Sequence, residues 1–276
     1  MSKLLVTDTK TMISILIPFR GSIFELERCL DSIFESEFKF EILVGVDGGR
    51  ECLTGLKDRF LHCRNIQFTF FPQKPGIALI LNSLAAMSEG EYIARMDADD
   101  YVINGRFEYQ IEFLKTHPDV DMIAGQAKLA TTSRVTSNRV GALKCSDFLF
   151  SNPIIHPTVM FRRVGSQKND NILDFKYNIK FRKSQDYELW TRIVKKWSIH
   201  TIDRALIVYT PKSDLRYFLQ QHYFFTRAML KNYFAHFYNK KCNCSGLEIT
   251  RALPNVIQRL LIYPLKVAVK MTFKSA

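Results

Sequence analysis

The sequence predicts an α/β protein whose central sheet is mostly parallel and carries helices on both faces. Short apolar runs alternate with segments whose apolar residues recur at helical spacing. This alternation is typical of parallel strands joined by helical crossovers. With 276 residues, 47% of them hydrophobic, the chain is large enough to bury a proper core. We expect one large domain with an appendage at its C-terminal end.

Four strands are predicted in the first half because each is a short run rich in β-branched or aromatic residues. They are ISILIPF (13–19), FEILVGVD (40–47), IQFTFF (66–71) and YIARM (92–96). Helices are predicted between and after them. The first, IFELERCLDSIFES, places five apolar residues at helical spacing: Leu26, Cys29, Leu30, Ile33 and Phe34. Further helices are predicted around 51–60, across 76–88 and over 103–117.

The net charge of +12 is unevenly distributed. Residues 212–276 hold eleven Lys and Arg against two acids, a net charge of +9, so that residues 1–211 carry only +3. This split predicts a domain of residues 1–211 and a basic, aromatic, helical extension of residues 212–276. Binding to nucleic acid is disfavoured, because the basic residues avoid the acidic rim described next.

The chain is expected to be a cytoplasmic protein with reduced thiols. A chain of this length does not need disulfide bonds for stability, and its six cysteines are scattered. Met1–Lys10 lacks the apolar segment of a signal peptide, and no apolar run approaches the roughly 20 residues of a membrane span. Cys242 and Cys244 could form half a metal site, but no second pair with suitable spacing follows.

Acidic residues end two of the predicted strands. Asp47 follows the second strand, and Asp97, Asp99 and Asp100 follow the fourth. Ligands of parallel sheets bind outside the carboxyl ends of the strands, where Pro18-Phe19-Arg20 also lies. Carboxylates gathered there suit a hard divalent cation with substrate phosphates. The alternative is that Asp99-Asp100 only caps the next helix.

Five segments of the chain occur in an order known from one enzyme family: SILIPF, EILVGVDGG, GIALILNSLAAMSEGEYIARMDADD, HPTVMFRR and SQDYELWTRI. They resemble glycosyltransferases of family 2, which have the GT-A fold. The resemblance covers roughly residues 12–210. It is greatest to bacterial enzymes that build O-antigen, capsule or exopolysaccharide repeat units. The resemblance implies an inverting sugar transferase that uses a nucleotide-sugar, with UDP-sugar expected, and a lipid-linked saccharide acceptor.

The resemblance also assigns roles to residues. Asp97-Ala98-Asp99 matches the D-x-D motif, in which the first acid lies by the ribose or sugar and the last binds Mn²⁺ or Mg²⁺ on the diphosphate. Asp47 matches the acid that recognises uracil, and Pro18-Phe19-Arg20 lies beside it at the donor site. Asp186 matches the catalytic base. Its alternative is a helix N-cap.

The chain departs from the family pattern at several positions. Arg20 replaces the tyrosine that stacks on the base, Val46 replaces the first acid of the second motif, and Gln185 replaces the glutamate before the base. The histidine that completes the metal site after the last strand is missing, and Lys212 lies near its place. The cation is therefore expected to bind only together with the diphosphate.

Four further residues are weaker candidates. His156 is predicted to contact the acceptor or diphosphate, with a structural loop position as its alternative. Trp190 is predicted to stack on an acceptor sugar, and core packing is its alternative. Lys74 and Arg95 flank the rim, where phosphate contact and solvated surface positions are the two interpretations.

Other functions and an additional partner stay open on the sequence alone. A sugar-phosphate nucleotidyltransferase has a similar acidic site, but it needs a glycine-rich loop that IPFRGSIFELE does not supply. A non-catalytic scaffold homologue is the other alternative. The extension combines its +9 charge with eleven aromatic residues, which favours peripheral docking on the anionic inner face of the cell membrane. Helices that merely cover the sheet are the alternative.

Overall fold

The computed structural model describes residues 12–35, 39–149, 151–165, 171–210 and 215–239. The strands are β1 (Met12–Phe19), β2 (Lys39–Val46), β3 (Ile66–Phe70), β4 (Tyr92–Arg95), β5 (Tyr101–Val102), β6 (Met122–Leu129), β7 (Gly141–Ala142), β8 (Met160–Arg162) and β9 (Ile199–Tyr209). The helices are α1 (Ile23–Phe34), α2 (Asp58–Leu61), α3 (Ile77–Met87), α4 (Arg106–Thr116), α5 (Asn171–Asp174), α6 (Gln185–Ile193) and α7 (Leu215–Asn239).

The described residues fall into two compact units. The first contains those within Met1–Ala142, Ile154–Lys176 and Trp197–Thr210, and it includes every strand of the sheet. The second contains those within Leu143–Pro153, Tyr177–Lys196 and Pro211–Ala276, and it includes α6 and α7. The domain boundary predicted near residue 211 stays a prediction. Among the described helices, none combines the length and apolar character needed to cross a bilayer.

The four predicted strands form the parallel part of the sheet. They lie in the order β3-β2-β1-β4, and every neighbouring pair among them is parallel. Their carboxyl ends therefore share one edge, as predicted. Alternate residues of β1 face opposite sides, as the period of two requires. Ile13, Ile15 and Ile17 belong to the core cluster that also contains apolar residues of α1 and α4.

The other face of the parallel strands is covered by α3. Ile80 and Leu84 of α3 approach Gly45 of β2 so closely that a Cβ at that position would collide with the Ile80 side chain. Helices thus cover both faces of this part of the sheet, as predicted. The predicted helix around 51–60 is instead two short pieces, a 3₁₀ helix at Arg50–Leu53 and then α2.

The rest of the sheet contains antiparallel pairs that the sequence analysis did not place. Strand β8 runs antiparallel to both β4 and β6, and it joins the two halves of the sheet. Strand β9 runs parallel to β6 and antiparallel to the two-residue strands β5 and β7. The end of β9 is thereby brought beside β5, which directly follows the acidic residues at the end of β4.

Candidate functional site

The carboxylates of Asp97, Asp99 and Asp100 meet at the edge where β4 ends. One oxygen from each lies within 4.8 Å of the others. Asp97 and Asp99 are half-buried, and Asp100 is fully buried. We call Asp97–Asp100 the acidic loop. It does not cap the following helix, because α4 begins at Arg106 and its N-cap is Gly105. The cap-only alternative is therefore wrong.

Asp97 is held by Arg95, the last residue of β4. Arg95 Nη1 donates to Asp97 Oδ2 at 2.7 Å, and Nη2 donates to Oδ1. This is the bidentate geometry in which guanidinium and carboxylate groups interact most strongly. Because Arg95 is only 3% exposed, it is part of the site and not a solvated surface residue. Lys74, by contrast, is exposed.

Asp100 is a buried carboxylate, and one of its oxygens accepts no hydrogen bond from the residues that the structure describes. Its Oδ1 accepts from Thr210 N at 3.0 Å, but its Oδ2 has no hydrogen-bond partner among the described residues. Burial, followed by the charge of Asp97, raises the pKa of Asp100 to about 8. A buried, unpaired carboxylate oxygen beside two more carboxylates is suited to a divalent cation. The acidic loop therefore fits the predicted Mn²⁺ or Mg²⁺.

Helix α1 fixes the backbone of the acidic loop. Arg28 Nη2 donates to Asp99 O at 3.2 Å, and Cys29 Sγ donates to Asp97 O at 3.4 Å. The guanidinium of Arg28 also lies over the ring of Tyr101. Sequence reasoning missed both α1 residues, because a helical pattern identifies the buried face but not its tertiary partner. In the sequence pattern, Cys29 was only one of the apolar positions of the predicted helix.

Beneath the acidic loop lies the buried Arg106. Its Nη2 donates to Arg95 O at 3.0 Å, and its Nε donates to Gln110 Oε1 at 3.0 Å. Burial lowers the pKa of Arg106 to about 9. A second guanidinium thus lies near the carboxylates and holds the end of β4 in place.

Asp47 lies directly after β2. Its Oδ2 lies 3.5 Å from Arg20 Nη1, and its buried Oδ1 has no partner among the described residues. Asp47 is 7% exposed, and its backbone N–H donates to Phe19 O. The Phe19 side chain is buried in the core, so Phe19 can meet a ligand only through its backbone. Pro18 is half-buried, and Arg20 is exposed.

His156 and Ala98 are both buried in the first unit. His156 begins a 3₁₀ helix, His156–Thr158. Burial, and then the positive charge of Arg95, hold the pKa of His156 well below its usual range. Its imidazole is therefore neutral at physiological pH. Ala98 packs in the core cluster between its two acidic neighbours.

Asp186 lies in the second unit, in the first turn of α6. The helix N-cap is Ser184, two residues earlier, so the N-cap alternative for Asp186 is wrong. Asp186 Oδ2 accepts from Asn152 Nδ2 at 2.9 Å. Trp190, one turn further along α6, is fully buried. That burial supports core packing, the alternative to a sugar-stacking role. Lys212 lies outside the described residues.

A family profile and several known proteins are similar to this chain in sequence. The profile of Glycosyl transferase family 2 matches residues 14–174. The amylovoran biosynthesis glycosyltransferase AmsE of Erwinia amylovora is 26% identical over 61% of the chain and 64% of its own length. An uncharacterized glycosyltransferase of Rickettsia conorii is 28% identical over 75% of the chain but only 33% of its own length. The chain thus spans less than two thirds of either relative.

Solved structures share the fold at low sequence identity. TarS of S. aureus (residues 1–349), in complex with UDP, superposes with a TM-score of 0.66 at 15% identity and covers 90% of this chain and 71% of its own. The mannosyltransferase PcManGT of Pyrobaculum calidifontis, in complex with GDP-Man and Mn²⁺, gives a TM-score of 0.60 at 14% identity, over 96% and 76% of the two chains. The fold is GT-A, as predicted.

Proposed function

Because the chain belongs to glycosyl transferase family 2, we propose that it is an inverting transferase that moves a sugar from a UDP-sugar to a saccharide hydroxyl. The observation that carries this proposal is the acidic loop, where three carboxylates converge and one buried oxygen of Asp100 has no hydrogen-bond partner within the described part of the chain. The bound UDP of TarS supports the choice of nucleotide. AmsE is named for amylovoran biosynthesis. We infer for this chain an acceptor in surface polysaccharide synthesis, which we take to be lipid-linked.

The proposed donor site uses the rim of the first unit. Asp47 Oδ1 would accept the N3–H of uracil, while Arg20 holds the other oxygen and offers its guanidinium plane to the base. Asp97, fixed by Arg95, would accept from sugar or ribose hydroxyl groups. Asp99 would hold Mn²⁺ or Mg²⁺, with Asp100 beside it. The cation, when bound, neutralises charge on the leaving diphosphate.

The proposed reaction is a single displacement with Asp186 as the base. The acceptor hydroxyl oxygen forms a bond to the anomeric carbon as the bond from that carbon to the diphosphate oxygen breaks. The bonding electrons leave with the nucleoside diphosphate, and the hydroxyl proton goes to the Asp186 carboxylate. Because one displacement occurs, the configuration at the anomeric carbon inverts.

A donor screen tests the proposed function. UDP-, GDP- and dTDP-sugars are each incubated with the full chain, with and without Mn²⁺, and release of the nucleoside diphosphate is measured. We expect Mn²⁺-dependent release from a UDP-sugar. Preference for a GDP-sugar would correct the nucleotide assignment. A lack of turnover with all donors, when acceptor lipids are also supplied, would favour the scaffold alternative.

Asp47→Ala should weaken UDP binding by about tenfold or more, because it removes the buried carboxylate that accepts a hydrogen bond from uracil. Thermal unfolding should change little, since Asp47 Oδ1 has no partner among the described residues. Calorimetry with UDP and Mn²⁺ measures the affinity. Asp58→Ala, which alters an acid on α2 away from the rim, is the control. If Asp47→Ala binds UDP as well as the parent does, uracil recognition by Asp47 is wrong.

We also propose that the extension docks on anionic membranes. Its described part, α7, exposes Tyr223 (62% exposed) together with Arg227 and Lys231. The basic residues from Arg251 onward lie outside the described residues. Co-sedimentation with anionic vesicles should be strong at low salt, weak at high salt, and lost on truncation after Asn255. Protein that stays in the supernatant at low salt would rule out this docking.

A further inference from the structure

We propose that Asn152 is a positioning residue for the catalytic base, holding the Asp186 carboxylate in the orientation in which it receives the proton. The inference rests on the proposed function. Asn152 Nδ2 donates to Asp186 Oδ2 at 2.9 Å, and both residues belong to the second unit. A carboxylate on a free rotor samples several orientations, and a directed hydrogen bond selects one of them.

The segment that carries Asn152 is itself tied to α6 and α7. The carbonyl oxygen of the buried Phe148 accepts two hydrogen bonds. One comes from the hydroxyl of Tyr187, which follows Asp186 in the chain, and the other from Asn232 Nδ2 of α7 at 3.4 Å. Tyr187 is fully buried and packs against the ring of Phe225, with centroids 4.5 Å apart. The chain four residues before Asn152 is therefore held by α6 and α7.

The backbone before Asp186 is also held in an unusual conformation. Ser184 has a φ of 53°, in the left-handed region that a side chain disfavours. Ser184 is buried, and its Oγ donates to Gln221 O of α7 at 3.2 Å. Such strain persists where the surroundings over-determine it, and it clusters at functional sites. Ser184 is the N-cap of α6, so this conformation lies directly before the helix that carries Asp186.

Asp186 differs from its neighbours in exposure. From Ser184 to Trp190, a stretch that the structure describes throughout, Asp186 is half-buried and every other side chain is buried. The carboxylate is thus reachable while its helix is packed. An amide is a suitable hydrogen-bond donor to such a base. Asn152 steadies the ionised carboxylate but carries no positive charge that would oppose its protonation.

Two variants and a double variant test the inference. Asn152→Ala should lower kcat about tenfold with the donor KM within twofold. Asn152→Asp places a second carboxylate against Asp186, so the acid limb of the kcat–pH profile should move up by about one pH unit. In an Asp186→Asn background, Asn152→Ala should cost nothing further, because its effect passes through Asp186. Rates are followed as release of nucleoside diphosphate from the donor found in the screen.

Ser151→Ala is the matched control, because Ser151 is the exposed neighbour of Asn152 and its hydrogen bond, from Oγ to Asp147 O at 3.4 Å, does not involve Asp186. It should leave kcat and the pH profile unchanged. Thermal unfolding identifies variants that fail to fold, and Asn152→Asp retains the size of the native side chain. An unchanged kcat in Asn152→Ala, an unmoved acid limb in Asn152→Asp, or a further tenfold loss in the Asp186→Asn background would each overturn the inference. If Asp186→Asn itself keeps the parental rate, the base assignment fails instead.

Discussion

Asp186→Asn should lower kcat by about 10²–10⁴-fold while the donor affinity stays close to that of the parent. Asparagine keeps the size of the side chain and its place in the first turn of α6, but it cannot take a proton from the attacking hydroxyl. The loss should therefore appear in kcat and not in donor binding. Initial rates over a range of donor concentrations separate the two quantities, and calorimetry with UDP checks the affinity.

Asp203→Asn, at an exposed position on β9, is the control for removal of one negative charge. It should keep the parental rate. A near-parental rate in Asp186→Asn would dismiss Asp186 as the base. The products give an independent check, because a single displacement must invert the anomeric carbon. Retained configuration would contradict the mechanism even if Asp186→Asn is inactive.

Asp99→Asn should lower turnover by about 10²-fold or more and abolish its dependence on Mn²⁺. Asp97 is engaged through both oxygens by Arg95. We take Asp99, the last acid of the D-x-D motif, as the principal protein ligand of the cation, with Asp100 beside it. Asparagine retains one neutral oxygen but loses the charge that a hard cation requires. Calorimetric titration of Mn²⁺ in the presence of UDP should show binding to the parent and none to the variant.

Asp119→Asn, at an exposed position just before β6, is the control and should titrate like the parent. Mn²⁺ alone is expected to bind weakly even to the parent, because the sequence lacks the family histidine and the diphosphate must supply ligands. Full activity in excess EDTA, after a check for carried-over metal, would refute metal dependence. Tight Mn²⁺ binding without nucleotide would show that the protein supplies the missing ligand itself.

The parallel half of the fold was predictable because its signals are local. Strand β1 is apolar apart from Ser14, β2 ends in the apolar run ILVGV, and α1 has a clear helical period. Strands of two or three residues, such as β5 and β8, are too short to show a period, and they exist only through pairing with distant strands. Their positions are therefore set by tertiary pairing and cannot be predicted from local sequence.

The residues of the site also fall into a part that was predictable from the sequence and a part that was not. The acids at the ends of β2 and β4 were predictable, because the carboxyl ends of parallel strands share one edge. The partners that hold them were not. Arg28 lies 71 residues before Asp99, and Asn152 lies 34 residues before Asp186. Residue type alone also misled at Phe19, whose aromatic ring packs in the core beside the rim.

The link between Thr210 and the acidic loop has a consequence for the order in which the chain acquires its site. Thr210 Oγ1 donates to Asp99 O, and Thr210 N donates to Asp100 Oδ1 across 110 residues of sequence. Contacts this distant form late, since the loop between them must first be closed. During synthesis, the nascent chain can pair β1, β2 and β4 long before Thr210 leaves the ribosome. We therefore expect the acidic loop to be completed late in folding, after most of its scaffold has formed.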